Sequence, residues 1–248
     1  MSTFLARVAF AALWFSVFAL AAWADGKDPS PWSYNFTVTT DYRFRGISQS
    51  DNDPALQGSV EYNDPSGFFG NVWASTIDFS PLGDDDAFVE VDLTGGYKHA
   101  FSAATEGVIK VTYYWYPDSD PPPFLDDADY VEIIAGVTHD LGEVTLSGDI
   151  AYSPDFSGGL GDSLMLQAGA AVPLAPKWWV FNKGVEAFGH LGHQSFDEGS
   201  DYLFWDLGFR AGIDIFSFDV RYVDTDIDGC RDLCDAGVVL SASVGFGG

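Results

Sequence analysis

Leu203-Phe204-Trp205-Asp206-Leu207-Gly208-Phe209-Arg210-Ala211-Gly212-Ile213-Asp214 alternates with period two. Leu203, Trp205, Leu207, Phe209, Ala211 and Ile213 fall on one face; Phe204, Asp206, Gly208, Arg210, Gly212 and Asp214 fall on the other. Successive side chains of a strand point to opposite sides, so the stretch predicts a strand with one apolar and one largely polar face. The pattern recurs outward from it. Phe216, Phe218, Val220 and Tyr222 alternate with Asp219 and Arg221, and Ile109, Val111, Tyr113 and Trp115 with Lys110, Thr112 and Tyr114. Val144, Leu146, Gly148, Ile150 and Tyr152 alternate with Glu143, Thr145, Ser147, Asp149 and Ala151, and Val238, Leu240, Ala242, Val244 and Phe246 share one parity near the end of the chain.

Such segments predict twelve strands, near residues 33–45, 55–62, 68–78, 87–98, 107–116, 128–138, 143–153, 163–172, 178–191, 201–213, 215–224 and 237–246. Their connections differ in length and charge. Residues 63–67, 139–142, 173–177 and the turn near Asp214 are short, whereas 48–54, 80–86, 117–127, 154–162, 192–200 and 225–236 are longer and hold 17 acids, with Arg231 as their only Lys or Arg. Residues 99–106 are longer than their place among the short turns requires. An even number of antiparallel strands, short turns at one end and long loops at the other predict an all-β, 12-stranded transmembrane barrel. A soluble sandwich or lipocalin-like barrel also alternates, but its apolar face points inward, and twelve strands would enclose an apolar lumen too wide for side chains to fill. Trp32, Tyr34, Phe44, Tyr116, Trp178, Trp179 and Tyr202 lie near predicted strand ends, where interfacial girdles belong.

The whole chain agrees with this class. It has 248 residues, 37 acids against 11 Lys and Arg, and a formal charge of -26. That excess excludes a nucleic-acid partner, which needs a basic surface to displace counterions. With 21 Phe, 11 Tyr and 8 Trp the chain carries far more bulky apolar surface than a disordered acidic one. Residues 1–24 read as a secretory signal peptide: a short region ending in Arg7, an apolar run from Val8 to Ala22, and Ala22-Trp23-Ala24 as a small-x-small cleavage site. The run is too short for the roughly 20 residues of a membrane-spanning helix. The expected organisation is a signal peptide over 1–24, cleaved near Ala24, and a bacterial outer-membrane barrel over 25–248.

The stretch Tyr34-Asn35-Phe36-Thr37-Val38-Thr39-Thr40-Asp41-Tyr42-Arg43-Phe44-Arg45-Gly46-Ile47-Ser48-Gln49-Ser50 resembles the opening strand and loop of the TorF family of porins. Pro54-Ala55-Leu56-Gln57-Gly58, then Ser66-Gly67-Phe68-Phe69-Gly70-Asn71-Val72-Trp73-Ala74-Ser75, look like its next two strands. Asp224-Thr225-Asp226-Ile227 with Leu233-Cys234-Asp235 looks like its ending. The resemblance covers the chain beyond the signal peptide and implies an outer-membrane channel. Such barrels typically finish on an aromatic residue, whereas here Gly247 and Gly248 follow Phe246.

With the apolar parity facing lipid, the inward candidates are Asp41, Glu61, Glu90, Asp92, Glu132, Asp149, Glu186, Asp206, Asp214 and Asp219, with Arg43, Arg45, Lys98, Lys110, Arg210 and Arg221. Lys183 has outward parity, which points to a bulge or slipped register there. Twelve strands lie between barrels filled by side chains and the larger open channels, so any pore is narrow. The expected function is passive diffusion of ions or small solutes with a cation preference. The competing reading is a non-conducting structural barrel.

No cofactor is expected. The partners expected are outer-membrane lipid, lipopolysaccharide and the solute itself; oligomeric state is not legible. His193-Gln194-Ser195 places a base and a nucleophile two apart with outward parity, as a lipid hydrolase would require, but it lacks an orienting third group and reads as a loop histidine. Cys230 and Cys234 are the only cysteines and predict a loop disulfide, being half a zinc site at most. Asp84-Asp85-Asp86 and the Asp126 to Asp129 region are acid clusters without the ligand spacing of a calcium loop, and read as solvated.

Overall fold

The computed structural model describes residues 30–83, 87–117, 119–120, 128–175 and 180–247. The signal segment, Trp178, Trp179, Asp84 to Asp86, Asp126, Asp127 and Gly248 lie outside the described residues.

The strands are β1 (Trp32–Thr39), β2 (Arg43–Phe44), β3 (Ile47–Ser48), β4 (Ala55–Asn63), β5 (Phe68–Thr76), β6 (Val89–Ala100), β7 (Thr105–Trp115), β8 (Tyr130–Asp140), β9 (Thr145–Ser153), β10 (Ser163–Ala175), β11 (Gly184–Phe196), β12 (Tyr202–Ile213), β13 (Phe216–Thr225) and β14 (Gly237–Gly247). Twelve of them form one closed antiparallel barrel, with β2 and β3 as a separate hairpin. Closure is made by β1 against β14, from Ser33 opposite Gly247 to Thr39 opposite Ser241. Closure leaves no unpaired edge, which is the condition for crossing a bilayer with strands. Among the described residues no helix is long and apolar enough to cross a membrane.

The alternation resolves as an apolar exterior and a polar interior. Phe36, Val72, Val111, Ile133, Leu166, Leu207, Phe218 and Leu240 are exposed, while Glu61, Asn71, Asp92, Thr112, Glu132 and Gln194 are buried. In water this arrangement would be inside out; in a bilayer it satisfies both surfaces. Aromatic residues border the apolar band at the short-turn end, where Trp32 meets Tyr62 with ring centroids 5.0 Å apart and Tyr34 stacks on Phe246 at 5.4 Å. At the long-loop end Tyr113, Tyr152 and Tyr222 donate their hydroxyls to Asp129, Asp162 and Asp224. Phe44, Tyr116 and Tyr202 do not belong to these girdles as their sequence positions suggested. Tyr116 and Tyr202 are buried on the inner face, and Phe44 sits on the separate hairpin.

Three further sequence boundaries move. The first wall strand ends at Thr39 rather than near residue 45. The connection read as 99–106 shrinks to residues 101–104, because β6 and β7 run into it and pair as far as Ala100 opposite Glu106. The ninth predicted strand shifts from 178–191 to Gly184–Phe196, which shortens the following loop to residues 197–201 and leaves Lys183 in the turn before the strand, with no register slip on the wall. A register irregularity does occur close by, between Pro173 and Ala175 of β10. In the short turn 64–67 the hydroxyl and backbone N–H of Ser66 both bond the Asp64 carboxylate, holding its pKa below the usual value, and Gly67 takes the positive φ of 100° that closes the turn.

Candidate functional site

Residues 40–54, between β1 and β4, turn into the lumen instead of outward. Their centre is a two-residue hairpin in which Arg45 and Gly46 join β2 to β3 with φ of 47° and 88°. Positive φ at both central residues is the geometry of the tight primed turns that suit a β-hairpin. Glycine adopts it freely, whereas arginine does so at a cost, and such outliers persist where surrounding contacts hold them.

Contacts to two wall strands hold Arg45 in this conformation. Arg45 donates from Nη2 to Glu132 Oε2 at 2.8 Å and from Nη1 to Gln194 Oε1 at 2.7 Å. Glu132 is on β8 and Gln194 on β11, four or more strands from β1 around the barrel, so Arg45 ties the inserted hairpin to distant parts of the wall. Tyr114 also donates to Glu132, at 2.9 Å. Arg43 anchors the base of the hairpin. It pairs with Asp41, donates to the carbonyls of Gly46, Leu233 and Asp235 and to Asn52 Oδ1, and is 5% exposed. Asp41 is held in turn by the hydroxyls of Ser48 and Ser50. Cys230 and Cys234 form the disulfide expected of them, Cα atoms 5.8 Å apart, in the loop that supplies the Leu233 and Asp235 carbonyls.

Around the hairpin the upper lumen is filled. Tyr42, Tyr114, Tyr116 and Tyr130 pack with Phe44, Trp73, Phe79 and Phe156, and Tyr114 stacks on Tyr130 with centroids 4.3 Å apart. Glu90, Glu132 and Gln194 are fully buried at this level.

The lower lumen, towards the short turns, keeps water contact. Lys98 bonds Glu61 at 3.0 Å with its side chain 21% exposed, and Arg210 lies between Glu186 and Asp219 at 3.2 and 3.3 Å with its side chain 17% exposed. His190 Nδ1 lies 2.8 Å from Asp206. Asp149, Lys110 and Arg221 share this inward parity. Asp214 does not: it lies in the exposed β12–β13 turn at φ of 51° and accepts a bond from Asn182, because its strand ends at Ile213. Asp41, Arg43 and Arg45 are interior but belong to the inserted segment rather than to the wall.

The sequence reading missed Gln194, the four interior tyrosines and His190. Gln194 and His190 share the parity of Glu186, a signal hidden by ending that strand at 191. His193 and Ser195 lie on an outward strand face instead of in a loop. His193 has Asp201 at 4.0 Å, while the Ser195 hydroxyl donates to the Leu164 carbonyl at 3.1 Å.

No curated protein sequence matches the chain. Among solved structures it is similar to a KdgM porin, with a TM-score of 0.57, 6% identity, and coverage of 86% of this chain and 98% of that one. It is also similar to a KdgM porin in complex with disordered oligogalacturonate (TM-score 0.55, 7% identity, 86% and 96% covered). LpxR from Salmonella typhimurium gives a TM-score of 0.48 at 10% identity, with 86% and 99% covered. These identities speak to the fold, a 12-stranded barrel of the kind seen in the KdgM outer-membrane porin. The TorF resemblance is not confirmed by name. Residues 23–240 match the family described as "Bacterial protein of unknown function (Gcw_chp)", and the chain belongs to that family.

Proposed function

We propose that the protein is a narrow outer-membrane channel for ions or small solutes, cation-preferring, with residues 40–54 as an internal constriction. Export by cleavage near Ala24 and insertion beside lipopolysaccharide are part of the same reading. The observation that carries it is the division of the lumen. A charged, water-accessible lower half leads to an inserted segment that closes the upper half through side-chain contacts of Arg43 and Arg45. A wall filled by its own side chains would need no such segment. Of the charged candidates, nine acids and six bases lie inside. That excess suits cations and disfavours a polyanion such as the oligogalacturonate of the KdgM complex.

The burial of Glu90 and Glu132 favours a second reading, a barrel that does not conduct. Planar-bilayer recording of the refolded full chain separates the two. Channel steps in the wild type, or steps that emerge when Arg45→Ala releases the segment, support the channel. Silence in both, with folding verified by heat-modifiable gel mobility, establishes the structural barrel.

A further inference from the structure

Ser147, Gly169, His190 and Asp206 form one inward-facing row across β9 to β12. Gly169 lies opposite Ser147 on one side and His190 on the other, and His190 lies opposite Asp206. Neighbouring strands run about 4.8 Å apart, so side chains separated by a whole strand normally have a third between them. Glycine removes it here. A Cβ on Gly169 would lie 2.6 Å from Ser147 Oγ, 2.5 Å from His190 Cδ2 and 3.1 Å from His190 Nε2, so the two side chains lean over one glycine from opposite sides.

The other ring nitrogen orients His190. Nδ1 lies 2.8 Å from Asp206 Oδ1, and because a carboxylate only accepts, Nδ1 carries the hydrogen and Nε2 of the neutral ring keeps its lone pair. Phe188 stands beside His190 with ring centroids 5.8 Å apart, and the Phe204 ring lies over Gly192, the next inward residue of β11. Among the charged groups nearby, Asp149 bears on His190 and is offset by Lys110, while Asp219 bears on Asp206 and is offset by Arg221 and Arg210. The His190 and Asp206 side chains are 15% and 14% exposed and Ser147 is half-buried, so the row is sheltered yet open to the lower lumen.

We propose that Ser147, His190 and Asp206 act as nucleophile, base and orienting acid, and that the lower lumen hydrolyses small soluble esters entering from the short-turn end. This activity goes beyond the channel reading and does not rest on conduction. His190 Nε2 takes the hydroxyl proton as Ser147 Oγ bonds the ester carbonyl carbon; the bond to the alcohol oxygen then breaks, and the alcohol leaves with that proton. Water, giving a proton to the same nitrogen, attacks the acyl-serine; the carboxylic acid leaves and Ser147 recovers the proton. The wall N–H groups are spent in the ladder, so the developing oxyanion has side-chain donors only. Gln167, the next inward residue of β10 towards the long loops, is the nearest in register. An ester is the acyl class that suits so small an oxyanion site, because an alkoxide leaves more readily than an amine.

A fluorophosphonate is the probe, since its phosphorus takes the serine oxygen and releases fluoride. The refolded full chain should be labelled on the peptide carrying Ser147 and should hydrolyse para-nitrophenyl acetate. Ser147→Ala, which removes one oxygen from a half-buried position, should abolish the label, and His190→Gln should slow it about a hundredfold. Asp206 acts through His190 and is a positioning residue: Asp206→Asn should slow labelling by about tenfold or more, and Asp206→Glu, which keeps the acceptor, should recover part of the rate at equal heat-modifiable folding. No label on the wild type, or equal labelling of Ser147→Ala or His190→Gln, overturns the proposal; an unchanged rate in Asp206→Asn removes Asp206 from the relay. If the His190 and Asp206 variants do not fold, wild type against Ser147→Ala still decides. Silence in bilayers defeats the channel reading and leaves this result standing.

Discussion

Arg45 and Glu132 form an ion pair inside the lumen, 2.8 Å from Nη2 to Oε2, with side chains 7% and 0% exposed. The arginine comes from a hairpin that is no part of the wall, and the glutamate from β8, four or more strands from β1 around the barrel. A desolvated pair of this kind adds little net stability, but losing one partner strands a buried charge at a cost of about 3–5 kcal/mol. Arg45→Ala should therefore destabilise the refolded barrel by that order in urea titration and raise channel open probability. Arg45→Met with Glu132→Met should restore most of the stability without restoring closure. Equal stability of Arg45→Ala and wild type would show that the pair does not hold the segment.

The disulfide supports the same segment from outside. Cys230 and Cys234 are four residues apart, so the loop they close is very short and the chain-entropy gain falls below the roughly 3 kcal/mol of a 15-residue loop. Their position matters more, since the loop carries the Leu233 and Asp235 carbonyls that accept from Arg43. Replacing both cysteines by serine should change stability by less than about 3 kcal/mol yet increase open-state noise in bilayer traces. Alkylation of native protein followed by mass measurement should find no free thiol; two modified cysteines would count against the bond.

The barrel was legible because its wall obeys one rule from end to end. Leu203 to Ile213 shows it most clearly, and the structure keeps that face outward. The inserted hairpin was not legible, because Tyr42, Arg43 and Phe44 continue the alternation of β1 and give no sign that the chain leaves the wall at Thr39. Gly46 is the one local hint, and an arginine beside it argues against a primed turn, since the contacts that hold Arg45 at positive φ come from residues 87 and 149 positions away. Asp214 was misassigned for a related reason: period two does not say where a strand stops.

Burial of the outer face in lipid makes a depth-dependent prediction. Val111 lies in the middle of β7 with 47% exposure, and Val238 begins β14 at the long-loop end with 65%. Arginine at a lipid-facing midplane position costs about 2–4 kcal/mol, and near an interface about 0–1. Val111→Arg should lower the folding free energy into lipid vesicles by the first amount and Val238→Arg by the second. Equal effects would mean that the apolar band is not set across the bilayer as its aromatic borders indicate.

Cation preference should contain two parts that salt separates. The long connections predicted from sequence hold 17 acids and make one mouth negative, but exposed charges act only within a Debye length of about 10 Å at 0.1 M salt and about 3 Å at 1 M. The largely buried interior charges are screened much less and keep more of their influence. Three of the four inward arginines stand beside acids instead of next to one another. Arg43 and Arg45 are paired with acids on or beside the inserted segment, while Arg210 lies between Glu186 and Asp219 in the lower lumen. Reversal potentials across potassium chloride gradients should thus show cation selectivity that weakens from 0.1 M towards 1 M, on the order of the screening lengths above, without vanishing. Arg210→Gln should strengthen it by freeing two carboxylates. A potential of the sign for chloride permeation at low salt would mean that Arg45, on the inserted segment, outweighs the acids around it.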